Sequence, residues 1–320
     1  MTRTIGIAGL LIVAAWAAAV VLADRIDKGG EDSGAAATAV APAVTPDRGT
    51  ARTARNPYAV HPAPQPTPVR VGFKRPPKAG LLFDVRSGRV LWQLNPRRRL
   101  PIASLTKMLT ALIVAQRHRL SERVLITPRV LRYTGSGVGV LPPGKKVKLG
   151  ALLYGLLLVS GNDAAIALAQ HDAHTVRGFV RRMNLRATQL GLTCSHFTTP
   201  SGIQDRGNYS CPLDLATLAR ADLGNRVVRR IVATRHIRLR FPVKGHFLDL
   251  FNINPFLEEG VPGITGIKTG LTDRAGRCYV TTQRRGRRQL GVVLLNSPDP
   301  LTQVPQLLQA GFRSGLGRRG

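Results

Sequence analysis

Acidic residues are scarce in this chain. Asp plus Glu total 17 against 47 Lys plus Arg in 320 residues, a formal charge of +30. Such an imbalance points to an anionic surface or partner. Nucleic acid does not fit that role: there is no zinc-finger spacing and no RNP-type aromatic motif, and Arg is spread along the chain without one dense patch. Two readings of the charge stand side by side, a biased composition that fills solvated surface with Arg and an attraction to wall polymers or lipid headgroups. Cysteine is nearly absent too. Cys194, Cys211 and Cys278 form no C-x-x-C pair, which argues against a zinc or thioredoxin-like site. Cys194 and Cys211 flank a turn-rich stretch containing Ser201, Gly202, Gly207 and Asn208. They are either one disulfide in an oxidising compartment or two buried thiols. Internal repeats are lacking, so solenoid and propeller architectures drop out.

Polar residues are missing altogether from Ile5 to Ala23. That run is long enough to cross a bilayer as a helix, which takes roughly 17–25 residues. Arg3 before it suits the inner side of a membrane. Val21-Leu22-Ala23 before Asp24 also suits a signal-peptide cleavage site. Residues 1–23 are therefore a membrane anchor or a signal peptide, and both place the rest of the chain outside the cytoplasm, in the cell envelope. Residues 24–76 are rich in Ala, Pro and Thr and show no periodicity, the pattern of a disordered spacer. A folded domain is expected over 77–315, followed by a basic tail at 316–320.

Within that domain the hydrophobic residues fall into periods. Ala79–Val85 and Val90–Leu94, joined by Arg86-Ser87-Gly88-Arg89, read as two strands and a tight turn. Helical spacing follows over 104–118, 149–159, 164–170, 176–190 (with Gly191 as its stop) and 212–221. Strands return at 264–268, 278–283 and 290–295, and 304–312 reads as a closing helix. The fold class is α+β. Strands from both ends of the domain must pair in one antiparallel sheet, flanked by helices and accompanied by an all-helical lobe.

Three short motifs carry chemistry. Ser104-Leu105-Thr106-Lys107 opens a helix, so Ser104 and Lys107 share a face. A serine hydroxyl becomes a useful nucleophile when a base takes its proton, and a lysine can be that base if desolvation lowers its pKa. Ser160-Gly161-Asn162 interrupts two apolar helices. Its hydroxyl can relay a proton, and its amide offers both a donor and an acceptor. Lys268-Thr269-Gly270 ends a strand. A cation beside a hydroxyl suits a carboxylate, and a glycine leaves room for a substrate backbone. Each motif alone is weak. Their ordered occurrence is the set S-x-x-K, S-x-N, K-T-G of serine β-lactamases and penicillin-binding proteins.

The likeness extends beyond the triplets. The stretches 101–111, 152–165, 190–197, 200–202, 214–216 and 266–272 resemble D-alanyl-D-alanine carboxypeptidases, the low-molecular-mass penicillin-binding proteins, over about residues 78–315. The resemblance implies a β-lactamase/transpeptidase-like fold and removal of the terminal D-alanine from peptidoglycan stem peptides, inhibited by β-lactams. It implies Ser104 as nucleophile, Lys107 as its base and Ser160 as proton relay. Asn162, Lys268 and Thr269 would bind substrate, and the backbone N–H groups of Ser104 and Leu271 would form the oxyanion hole. No metal or other cofactor is implied. One departure is clear. Many members carry an arginine shortly after the last core strand, whereas Pro298–Phe312 contains neither Arg nor Lys. Carboxylate recognition would then rest on Lys268 and Thr269, or on a substitute such as Arg274 or Arg277. Three other activities stay open: an endopeptidase with the same machinery, a weakly active wall-binding module, and a β-lactamase. The last is disfavoured because neither Glu258 nor Glu259 starts an E-x-x-x-N loop.

Overall fold

The computed structural model describes residues 56–203 and 206–314. The apolar run at 5–23, the spacer up to residue 55 and the basic tail lie outside the described residues. Among the described residues no helix is long and apolar enough to cross a membrane.

The chain opens with strands β1 (Ala79–Asp84), β2 (Val90–Leu94) and the short β3 (Leu100–Pro101). A 3-10 turn at Ala103–Leu105 leads into helix α1 (Thr106–Arg117), then β4 (Arg123–Leu125) and β5 (Lys146–Lys148). Helices α2 (Leu149–Leu158), α3 (Asn162–Ala173) and α4 (Val176–Gln189) follow, then β6 (Tyr209–Ser210), α5 (Pro212–Gly224) and α6 (Arg226–Val232). The last part runs β7 (His236–Arg240), β8 (Phe247–Phe251), α7 (Pro255–Glu258), β9 (Ile264–Thr272), β10 (Gly276–Arg285), β11 (Arg288–Ser297) and α8 (Pro300–Arg313).

The main sheet is antiparallel throughout, in the order β2-β1-β11-β10-β9. Strands from the two ends of the domain do pair: β1 lies against β11, with Leu81 opposite Val293. Alternation sorts their side chains onto two faces. Leu81, Phe83, Val293 and Leu295 face the helical lobe, while Leu82, Leu290, Val292 and Leu294 face α8. Both faces of β11 are covered, which is why it reads as a continuous apolar run rather than an alternating one. α2 is buried along almost its whole length, as its lack of polar residues requires.

The spacer expected over 24–76 needs correction in its described part. Residues 56–76 form no helix or strand, but they are fastened to the domain. Asn56 Nδ2 donates to Leu190 O at 2.7 Å, and Val60 N–H donates to Thr217 Oγ1 at 3.1 Å. Ala63 exchanges two hydrogen bonds with the Gln93 amide at 3.1 and 2.8 Å, and Val69 N–H donates to Leu91 O at 2.9 Å. Val60 and Val69 are buried. Residues 56–76 are thus part of the folded unit. Composition describes how the segment lacks regular structure but not where it lies.

Of the two cysteine readings, the structure adopts the disulfide: Cys194 and Cys211 are bonded. It closes the loop between α4 and α5, and Cys278 is buried on β10.

One buried acid lies apart from any site. Asp222 on α5 is fully enclosed, and neither carboxylate oxygen meets a hydrogen-bond donor among the described residues. Burial alone raises its pKa well above the ordinary 3.8. Between those two values the folded state holds a proton that the unfolded chain has lost, so stability falls as pH rises. Asp222→Leu is therefore expected to stabilise the domain at pH 8 by about 1–3 kcal/mol, the usual cost of an unpaired buried polar group. The gain should shrink toward pH 4. Thermal unfolding of both proteins across that range checks it, and a pH-independent difference would refute the assignment.

Candidate active site

The three motifs converge at one end of α1. Ala103 adopts a left-handed φ of +48° just before Ser104, which starts the turn into the helix. Lys107, one turn on, is completely buried. Its Nζ lies 2.9 Å from Ser104 Oγ, 2.7 Å from Asn162 Oδ1 and 2.8 Å from Ser201 O. The amide and carbonyl oxygens can only accept, so the amine must spend two N–H groups on them. Burial, then the nearby charge of Lys268, push its pKa well below 10.5, against an opposing pull from Asp163. A neutral amine has two N–H groups and one lone pair. With both N–H groups committed, the lone pair is left for the Ser104 hydroxyl, which then donates.

Asn162 opens α3 and holds the amine from the opposite side. Its Oδ1 accepts from Lys107, and its Nδ2 donates to Thr134 O at 2.6 Å. The expected contact with substrate is therefore left to its remaining N–H and lone pair. Ser160, two residues earlier, is buried at a left-handed φ of +60°. Its Oγ has no partner among the described residues. Such a conformation and an unpaired hydroxyl both cost energy for a non-glycine residue. Asp163 was not legible as part of the site. Its carboxylate accepts from Val138 N at 2.9 Å and Gly139 N at 3.0 Å. It thereby holds the loop that supplies Thr134 O.

On the other side, β9 carries Lys268, Thr269 and Gly270. Lys268 is buried, its Nζ donates to Thr269 O at 2.9 Å, and burial lowers its pKa to about 7. Gly270 has a packing role as well. A Cβ there would lie 3.0 Å from both Ile102 O and Ser104 N. The glycine lets β9 press against the turn that bears Ser104. Leu271 itself is exposed and pairs across the ladder with Arg277. Arg277 is exposed and donates to Pro298 O at 3.1 Å, whereas Arg274 lies in the turn between β9 and β10.

The disulfide-closed loop completes the enclosure. It supplies Ser201 O to Lys107, Pro200 O to Thr110 Oγ1 at 2.7 Å, and Asn208 Nδ2 to Thr106 Oγ1 at 2.9 Å. Thr106 and Thr110 are buried polar residues on a helix whose other buried residues, Lys107 apart, are apolar. That mismatch is the sequence signal that could have revealed them. Beside Asn162 and Ser201 opens a cleft of about 560 Å³, whose lining includes Arg129, Arg132, Tyr133 and Ile203.

A serine whose hydroxyl faces a buried amine, set between a helical lobe and the edge strand of an antiparallel sheet, belongs to the serine β-lactamase and penicillin-binding class of architecture. More narrowly, residues 74–299 match the D-alanyl-D-alanine carboxypeptidase family, Peptidase_S11, and the chain belongs to that family. It is 29% identical over 243 residues to D-alanyl-D-alanine carboxypeptidase DacF of Bacillus subtilis, covering 73% of this chain and 62% of that protein. It is 34% identical over 248 residues to D-alanyl-D-alanine carboxypeptidase DacB2 of Mycobacterium tuberculosis, covering 74% of this chain and 82% of that one. A crystal structure of a D-alanyl-D-alanine carboxypeptidase from Mycobacterium tuberculosis superposes with a TM-score of 0.72 at 31% identity, over 81% of this chain and 98% of that one. The chain spans about three fifths of the length of several of the curated relatives it matches.

Gly202 makes the tightest approach to the nucleophile's turn. At φ +79°, a Cβ would stand 2.0 Å from Ala103 O and 2.5 Å from Thr106 Oγ1. Gly202→Ala is expected to displace the Ser104 turn and slow acylation by a fluorescent penicillin about 10²-fold, the scale of an ångström-level misplacement. An unchanged labelling rate would show that the turn does not depend on this contact.

Proposed function

We propose that the chain is a serine-type D-Ala-D-Ala carboxypeptidase that acts outside the cytoplasm on peptidoglycan stem peptides. The observation that carries this reading is the Lys107 amine. Its Nζ lies within hydrogen-bond reach of Asn162 Oδ1, Ser201 O and Ser104 Oγ, so in the neutral form, with N–H groups given to the first two, the lone pair is left for Ser104. Ser104 Oγ attacks the carbonyl carbon of the penultimate D-alanine as its proton passes to Lys107. The new oxyanion is met by the backbone N–H groups of Ser104 and Leu271, each such donor being worth about 10²–10³-fold in rate. As the C–N bond breaks, Ser160 passes its proton to the departing amine of the last D-alanine and takes the Lys107 proton in return, which leaves the lysine neutral. Water, activated by the same lysine, then hydrolyses the ester and restores Ser104.

Lys268 and Thr269 receive the terminal carboxylate. Arg277 supports them in place of the missing C-terminal arginine, because the ladder sets it directly opposite Leu271. A β-lactam presents a carbonyl and a carboxylate in the same relation and acylates Ser104 instead. Residues 5–23 attach the domain to the membrane or are removed after export, and the positive charge draws the domain to the wall.

Incubating the purified chain with a pentapeptide ending in D-Ala-D-Ala should release one D-alanine per peptide. Ser104→Ala should abolish both that release and covalent penicillin labelling. Labelling of Ser104→Ala at the wild-type level would overturn the nucleophile, and cleavage confined to cross-linked dimers would indicate an endopeptidase.

The two lysines also set a pH profile. The base works neutral, so kcat/KM rises as Lys107 loses its proton. The carboxylate-binding cation works charged, so kcat/KM falls as Lys268 deprotonates, near pH 7 in the free enzyme. Lys268→Arg keeps its charge and should move the falling limb to higher pH. A limb that stays in place in this variant would assign it to another group.

A further inference from the structure

Helices α1 and α3 both start at the site, with Lys107 and Asn162 in their first turns. Their far ends meet in a second cluster. His118 caps α1, His171 lies in the last turn of α3, and Glu122 sits just before β4. Glu122 Oε2 lies 2.8 Å from His118 Nδ1 and 3.0 Å from His171 Nε2, and Oε1 accepts the Arg119 N–H at 2.6 Å. The other nitrogen of His118, Nε2, lies 3.0 Å from Asp172 Oδ1. The Asp172 side chain is fully buried and is also held by Arg117 and Arg182.

These contacts overdraw a neutral imidazole. His118 has one proton and faces a carboxylate oxygen at each nitrogen. If Nε2–H donates to the buried Asp172, the Nδ1 lone pair points at Glu122 Oε2, acceptor against acceptor. A positive centre between the ring and Glu122 removes the conflict. His171 Nε2 faces the same point, and the three ligand atoms all lie within 4.8 Å of one another.

We propose that His118 Nδ1, His171 Nε2 and the Glu122 carboxylate bind a divalent transition-metal ion of the zinc class, with water completing the shell. Two imidazoles and a carboxylate match the donors and the coordination number that zinc takes. Calcium and magnesium are poorly served, since both favour an all-oxygen shell. The contact from Asp172 to the back of His118 is the carboxylate–histidine arrangement that fixes the ring's tautomer and raises its basicity toward a metal. Arg117 and Arg182 both pair with Asp172, which offsets part of their positive charge near the site. The ion would lie about 16 Å from Lys107, eleven residues along α1. It takes no part in acyl transfer. It ties together the far ends of two helices whose near ends are joined by the Lys107–Asn162 hydrogen bond.

The test uses the full chain stripped with EDTA and titrated with Zn2+ or Co2+. Calorimetry should give one bound ion per chain, and cobalt should give the visible absorption of a low-coordinate nitrogen–oxygen site. At roughly hundredfold excess over Kd, the unfolding midpoint should rise by about 5–10 °C. Glu122→Gln and His171→Ala should each lose that ion and that rise, while their metal-free circular dichroism matches wild type. If either variant fails to fold, the cobalt-loaded wild type decides the matter by paramagnetically shifted NMR signals from two imidazoles. Absence of binding, or binding that both variants retain, overturns the site. So does a midpoint insensitive to zinc that rises on acidification through the imidazole range, which would make the positive centre a proton.

Discussion

A lysine side chain buried without a carboxylate partner is the constraint around which this domain is arranged. Lys107 touches no acid among the described residues, only two oxygens and a hydroxyl. An isolated ammonium in that setting is expensive, and burial pushes the Lys107 pKa well below its ordinary value. The contacts come from three separate pieces of chain: the 3-10 turn, the start of α3 and the loop between α4 and α5. Each arrives with its own backbone requirement. Ala103 and Ser160 accept left-handed φ angles, and Gly202 and Gly270 remove side chains where segments close to van der Waals distance. The strain and the glycines are consequences of delivering three polar atoms to one nitrogen.

The second buried lysine repeats the theme with a different outcome. Lys268 has one carbonyl partner, and burial brings its pKa to about 7, so it sits at the edge of ionisation. Two amines close enough to feel each other do not both hold a proton easily. For Lys107 the charge of Lys268 adds to burial and pushes the pKa well below its ordinary value.

The sheet and the three motifs were legible in the sequence because both are local. Apolar stretches mark β9 to β11, and Arg284–Arg288 with Gly286 marks the hairpin between the last two. The observed elements run a few residues beyond the periodic stretches, since hydrogen bonds continue where hydrophobicity stops. The hairpin of β7 and β8 escaped notice for a physical reason. Its exposed face carries Phe247 and Phe251 beside Arg238 and Arg240, with Arg238 and Arg240 over the Phe247 ring, so the contrast between faces is blurred. The packing of residues 56–76 was hidden because every anchor lies far along the chain, such as Asn56 on Leu190 and Val60 on Thr217. Asp163 and the carbonyl of Ser201 escaped for the same reason. Their partners are fixed by the tertiary fold, and a backbone carbonyl has no sequence signature.

The disulfide between Cys194 and Cys211 bears on the position of the Lys107 amine. The loop it closes is the one that presents Ser201 O to Lys107 and Pro200 O to Thr110. The covalent link and the hydrogen bonds to α1 therefore act on one segment, and the bond limits how far that segment can stray when those hydrogen bonds open. Part of the positioning of the Lys107 amine is thus written in covalent chemistry rather than in packing.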